Sequence, residues 1–538
     1  MKTRRKISRG LKYVLAVTLL AAGAVAFAGQ PFGAARDKQA QEKGTEGAAD
    51  AAAKQVKIDL GKAVKVKLPA NMPNLTPTSF VTADGKRGWA VRVPGNQPLA
   101  TPAYANGTLF VGGGYGSHDF YAFDAKTGKL VWKTKTSDDG PSAAVVEDGL
   151  VAFNTESCTL IVVDAKTGKL VWQEWLGDPL MSQPAISKGR VFMAYPSNGR
   201  AHHQNLTSNH IQQSAAAHVA AKPVMKQVPQ TAKQGEEASE AGSHRLLCAD
   251  LKTGKHIWER AISGDVISAP VVSEGKVYFT TFDGTSYCLD ADKGGVIWKK
   301  ENAGTSAPVV VAGEVLMTQK ENRDNKSYEG LKRLDARGND KDKGLLASEE
   351  AAYLGENKGG GVALKAEAQS ALDSSVGFGS APAAAQLDRA NKHIGVKTVV
   401  GGWAYQGSRA AYSKGQMLNA QGRYLNSVNA KSGGLSWRAE VSGGGLAADA
   451  QVFSPPALGD QFMYLSSSLG HLLSVNQKGG EVGFMYEFGE PMVFQPALAE
   501  GSVYVGTSSG LLICLMTGTT DADGWYAWGG NAEHNKNR

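Results

Sequence analysis

Three groups of side chains in this chain have types and spacings that could do chemistry. Five of the ten histidines, His202, His203, His210, His218 and His244, fall close together. In AHHQNLTSNH, His202, His203 and His210 are the candidate metal ligands, since neutral imidazole suits zinc. No Cys or tight carboxylate accompanies them, so a polar loop without metal is the favoured reading. Acids recur before a repeated proline: Asp178 in GDPLMSQP, Asp265 in GDVISAP and Glu490 in GEPMVFQP, with Asp138 and Asp139 near by analogy. Such acids either cap solvated turns or form an acidic mouth that attracts a cation or a basic partner. The four cysteines include no adjacent pair, no C-x-x-C and no C-x-x-C-H, which excludes haem attachment and a zinc knuckle. No G-x-S-x-G or H-E-x-x-H motif supports a hydrolase.

The first 28 residues carry most of the charge asymmetry. Lys2, Arg4, Arg5, Lys6, Arg9 and Lys12 precede the apolar run Tyr13–Ala28, which ends in Ala26-Phe27-Ala28. This pattern reads as a secretory signal peptide with an A-x-A cleavage site. Thr3–Ile7 weakly resembles a twin-arginine signal, though an ordinary basic start explains it as well. Removing the segment takes six of the 58 basic residues and leaves 52 against 50 acids. The mature chain is then nearly neutral, which argues against nucleic-acid binding. No cysteine precedes Cys158, so a lipid-anchored N-terminus is not expected. The sequence predicts an exported, soluble, monomeric protein with no membrane span after cleavage, periplasmic or extracellular.

The elements that would position any site come from a repeat. DAKTGKLVW occurs twice, at Asp124–Trp132 and Asp164–Trp172. Weaker copies begin at Asp250, Asp290, Asn429 and Asn476, each with an aromatic residue eight positions on. A second phrase, of which ISAPVVSEGKVYF is the clearest copy, lies upstream of each. Together they give eight copies of a unit of roughly 40 residues. Each unit reads as four short strands separated by Gly, Asp and Asn turns. The 65 glycines suit such a turn-rich chain. The expected fold is all-β, an eight-bladed propeller of four-stranded antiparallel blades.

In this reading residues 29–78 are a low-complexity tail, 79–528 the propeller and 529–538 a second tail. Polar insertions at about 197–243 and 348–402 interrupt it, and both are expected to rise from one face. The strand around Trp89 is expected to complete the eighth blade, with GWYAWGGN near Trp525 as its rival. The turn Asp caps backbone N–H groups, and the strand-end Trp packs blade on blade. Trp89, Trp132, Trp172, Trp258, Trp298 and Trp437, with Asp124, Asp164, Asp250 and Asp290, are therefore assigned a structural, blade-docking role. Cys248, Cys288 and Cys514 share the position of Ala122 and read as small buried residues.

AFDAKTGKLVW and VVDAKTGKLVW resemble the tryptophan-docking repeat of the pyrroloquinoline-quinone (PQQ) enzymes and the PQQ-like propellers. The resemblance runs over roughly Gly88–Trp528 apart from the insertions. It implies the propeller fold and leaves two functions open. One is a non-catalytic, exported scaffold without a cofactor, presenting an envelope protein on the insertion-bearing face. The alternative is a PQQ-dependent alcohol or aldose dehydrogenase, which the resemblance would supply with PQQ and Ca2+. The vicinal cysteines common in such alcohol dehydrogenases are absent, and no cofactor-binding set matches residue by residue. The scaffold is the expected function.

Overall fold

The computed structural model describes residues 53–114, 116–155, 158–177, 182–197, 242–323, 326–350, 410–443, 446 and 452–531. The signal segment, His202, His203, His210, Asp178 and most of both insertions, 198–241 and 351–402, lie outside these residues.

Among the described residues there are eight sheets, five of them four-stranded antiparallel meanders and three with a fifth strand. Within a blade the strands are lettered A to D from the axis outward. Blades 1 and 2 cover Ala103–Lys135 and Val145–Trp175, and blades 3 and 4 cover Ala185–Ile262 and Val271–Lys300. Blades 5, 6 and 7 cover Val309–Glu350, Ala410–Ser442 and Ala457–Glu487. Among the described residues the only helical turn is the short 3-10 turn Leu60–Lys62. The expected eight-bladed all-β propeller is the observed fold.

Blade 3 is interrupted between Arg190–Pro196 and His244–Asp250, its strands B and C. The chain leaves blade 5 through strand D, Leu346–Glu350, and enters blade 6 at Ala410. The second insertion therefore starts after the expected residue 348, because Leu346–Glu350 still pairs with strand C of its blade.

Four N-terminal strands complete the architecture: β1 (Lys54–Asp59), β2 (Val64–Lys65), β3 (Thr78–Val81) and β4 (Arg87–Arg92). Strand β4 carries Trp89 and pairs antiparallel with Leu511–Met516, so blade 8 is built from both chain ends. This leaves the rival segment near Trp525 free for another task, described below. The expectation of a low-complexity tail to residue 78 is corrected. From Lys54 the chain adds fifth strands, β1 parallel on blade 6, β2 parallel on blade 7 and β3 antiparallel on β4. The physical reason is visible in KQVKID, where Val56 and Ile58 alternate with polar residues and continue the apolar face of blade 6 beside Ala439 and Val441.

Candidate functional site

The repeated phrase builds the blade junctions. Asp124 accepts from the Thr127 backbone at 2.8 Å and from its hydroxyl at 2.6 Å. The Thr127 hydroxyl bond outweighs partial burial and holds the Asp124 carboxyl below its ordinary pKa. Asp164 repeats both bonds, Asp250 accepts from Thr253 in the same two ways, and Asp290 accepts from the Lys293 backbone. The Asp-capped turn presents a glycine and a carbonyl to the preceding blade, and a tryptophan meets both.

Trp132 donates from Nε1 to the Ala165 carbonyl at 3.0 Å, and Trp172 to Leu251 at 2.8 Å. Trp258 donates to Ala291 and Trp437 to Gln477, each at 2.9 Å. Trp89 closes the ring by donating to Ala125 at 3.2 Å. The indole lies flat on the glycine. A Cβ on Gly128 would stand 2.6 Å from the Trp89 ring, and its φ of +70° already favours glycine. Opposite each indole, across the C–D ladder, stands a smaller residue. Cys248 faces Trp258, Cys288 faces Trp298, Cys514 faces Trp89 and Ala122 faces Trp132. The cysteines are buried and free, as a small core residue at that register should be.

Three junctions depart from this pattern. The turn after Trp298 is one residue shorter: Gly338 N–H bonds to Asp335, three residues back, where Gly128 reaches four. The Trp298 ring still packs on Gly338, but its Nε1 is buried without a partner. Blade 5 offers no tryptophan to blade 6. Arg333, itself 4% exposed, donates from Nη1 to the Ala430 carbonyl and is held by Asp342 through Nε at 2.7 Å. At the junction of blades 7 and 8, Tyr486 donates to Asp84 at 2.6 Å. Hydrogen bonds from Thr82 and then Tyr486 lower the Asp84 carboxyl to about 2. Sequence reading missed Arg333 and Tyr486 because neither belongs to the tryptophan phrase.

Around the axis, side chains just before strand A join the blades. Thr101 donates to the Gln495 carbonyl at 2.7 Å and Gln495 to Pro456 at 2.8 Å, while Asn154, at the end of strand B of blade 2, donates to the Ser182 carbonyl at 3.0 Å. The polar residue before the repeated proline was the available signal. The acids of this region do not gather. Asp265 is 1% exposed and accepts from the Val266 backbone. Glu490 accepts from Thr507 at 3.2 Å and pairs with Arg92 at 3.6 Å. Asp265 leads into blade 4 and Glu490 into blade 8, on opposite sides of the ring. Each of these two acids is engaged locally, Asp265 by a backbone N–H and Glu490 by Thr507 and Arg92. Asp139 sits beside Asp138, and burial, then that neighbouring charge, raises its carboxyl pKa.

The C-terminal segment seals one end of the axis. Trp525 bridges to Leu498 in blade 8, and the Tyr104 N–H of blade 1 bonds the Tyr526 carbonyl at 2.6 Å. Asn531 lines a pocket together with Ser187, at the end of strand A of blade 3, and Glu274, in the A–B turn of blade 4. Blades 8 and 4 face each other, so the segment crosses the opening. Trp528 is fully buried between, in one cluster with Ala103, Ala144, Ala185, Ala269 and Phe494 from five blades. Gly529 N–H bonds the Gln495 side chain at 2.7 Å. The expected tail from residue 529 is corrected to this extent, because these glycines finish the crossing.

PQQ needs a Lewis-acid cation and an ordered pocket for an anionic ring system. Among the described residues no three His, Cys, Asp or Glu side chains stand together as metal ligands. Trp528 and Phe494 fill one end of the axis with apolar side chains.

Fold and junctions together define a tryptophan-docked, eight-bladed propeller with a closed ring. The chain belongs to the family described as outer membrane protein assembly factor BamB, whose model matches residues 78–236, 219–359 and 388–534. It is 23% identical over 224 residues to BamB of Yersinia pestis, covering 38% of this chain and 57% of that protein. The chain thus spans little more than half the length of that curated relative. Similar solved structures include BamB from Moraxella catarrhalis, 12% identical, covering 79% of this chain and 96% of that one, with a TM-score of 0.47. Another is the quinohemoprotein alcohol dehydrogenase of Comamonas testosteroni, 13% identical, covering 80% and 76%, with a TM-score of 0.46. No helix among the described residues is long and apolar enough to cross a membrane.

Proposed function

We propose that this chain is a non-catalytic protein-binding scaffold of the bacterial cell envelope, exported and working in the periplasm. Membership in a family described as an outer-membrane assembly factor carries the reading. The basic and apolar N-terminal segment supports export, and the apolar filling of one end of the axis by Trp528 and Phe494 supports a role without catalysis. The partner is an envelope protein, which a closed ring can hold without changing its own shape.

Cross-linking in intact cells followed by affinity purification of the tagged chain tests this. Enrichment of one envelope protein in near-stoichiometric amount supports the scaffold. Recovery at the level of an untagged control overturns it. A chain lacking residues 198–241 tests whether the first insertion takes part.

A further inference from the structure

Neighbouring blades meet through side chains on strands B and C. Counted from the A–B turn, the fourth rung of that ladder packs on the preceding blade. The rung pairs Val111 with Tyr121 in blade 1, Phe153 with Ile161 in blade 2, Met193 with Leu247 in blade 3 and Phe279 with Tyr287 in blade 4. It pairs Leu465 with Leu473 in blade 7 and Val505 with Ile513 in blade 8. All of these side chains are buried. In blade 6 the same rung is Asn419 opposite Asn426, 1% and 0% exposed. Buried amides forgo apolar contact and must find hydrogen bonds under cover. This pair finds only part of them. Asn419 Nδ2 donates to Gln421 and Asn426 Oδ1 accepts from Arg438 Nε, each at 3.1 Å. Asn419 Oδ1 and Asn426 Nδ2 are buried without a partner.

The contact between blades 5 and 6 is divided. Toward the A–B turns it is apolar, with Leu316 and Leu331 of blade 5 against Met417 and Val428 of blade 6. Toward the other end it is polar. There Gln421 donates to the Glu329 carbonyl, and Arg438 pairs with Glu349. The covalent step differs too. The chain runs from Glu350 to Ala410 between these blades, against Lys300 to Val309 between blades 4 and 5. A short link fixes the distance between two strand ends, and a long one leaves it to the noncovalent contacts. On its other side blade 6 is firmly joined. Leu418, Leu425 and Trp437 belong to one continuous core with blades 7 and 8. Strands β1, β2 and β3 tie the same three blades along their outer edges.

We infer that the ring has a seam between blades 5 and 6 that opens locally while the other junctions stay shut. Blades 6, 7 and 8 turn as a unit about the apolar half of the contact, and the polar half parts and admits water. Water completes the hydrogen bonds that Asn419 and Asn426 lack in the closed ring, so parting exposes little apolar surface. An ordinary rung has no such compensation, because parting Leu465 from blade 6 would put hydrocarbon into water. The closed ring is the resting state. The seam stands on its own observations and does not depend on the scaffold reading.

Thiol labelling of the full chain with N-ethylmaleimide, read by peptide mass spectrometry, tests this. Asn419→Cys puts a thiol on the seam rung, and Val111→Cys and Val505→Cys put one on the same rung of blades 1 and 8. Under native conditions Asn419→Cys should be modified about tenfold faster or more than either control. The buried native thiols of Cys288 and Cys514 should stay unmodified over that time, which separates seam opening from global unfolding. Asn419→Leu with Asn426→Leu gives blade 6 the rung of blade 7 and should close the seam. Thr318→Cys reports from the blade 5 side, since Thr318 is 0% exposed and shares a rung with Leu331. Its labelling should slow about tenfold when the leucine pair is added. Equal rates on the three rungs, labelling of Asn419→Cys in step with Cys288 and Cys514, or no slowing by the leucine pair overturns the inference. Circular dichroism confirms the fold of each variant, and if the leucine pair does not fold, the comparison of the three rungs decides.

Discussion

Trp89 Nε1 donates to the carbonyl of Ala125, 36 residues later, at 3.2 Å. This bond joins the blade built from both chain ends to the first continuous blade, in the manner of the other tryptophan junctions. Trp89 is 2% exposed, whereas Trp132 is only half-buried. Trp89→Ala should therefore cost roughly 3–5 kcal/mol, in the range for emptying a buried aromatic site, and Trp132→Ala visibly less. Urea unfolding of the two variants measures the difference.

At the junction of blades 5 and 6, Arg333 does with a guanidinium what its neighbours do with an indole. Its partners, Asp342 and the Ala430 and Lys431 carbonyls, need a planar fork. Arg333→Lys should cost on the order of 1.5–3 kcal/mol, the range for buried charged hydrogen bonds. Asp342→Asn should cost less, because the carbonyl contact survives. Hydrogen exchange in Ala410–Ser442 should accelerate in both variants and stay unchanged in blades 1 to 3.

His256 bridges Glu174 of blade 2 and Glu259 of its own strand, at 2.7 Å on each side. Burial opposes its charge, but the hydrogen bonds it donates to Glu174 and Glu259 prevail and raise its pKa to about 9. A raised folded-state pKa adds stability that is complete below the ordinary value of 6.5 and fades as pH rises through about 9. Thermal unfolding should therefore separate wild type from His256→Gln most at pH 6. The gap should close by pH 10, and a constant gap would remove the imidazolium from the account.

The repeat made the fold legible because each blade needs the same turn, glycine and tryptophan. Ring closure through Trp89 followed from its spacing to Pro102. The N-terminal strands were harder to see. KQVKID has the period of a strand, but it pairs with residues nearly 400 positions away and lacks the repeat's turn chemistry. The acids at Asp265 and Glu490 shared a register along the chain, yet the ring sets them on opposite sides. The task of Trp528 was illegible for the same reason, since only the closed ring creates the opening that it fills. Function is less legible than fold because the conserved geometry of the phrase is spent on the junctions.

The claim that this propeller is a scaffold and not a quinoprotein is tested most directly by titrating the purified full chain with PQQ and Ca2+. Calorimetry reads binding, and dye reduction by alcohols reads turnover on the same sample. The account predicts no saturable heat and no dye reduction. Stoichiometric binding with alcohol-dependent reduction would contradict it.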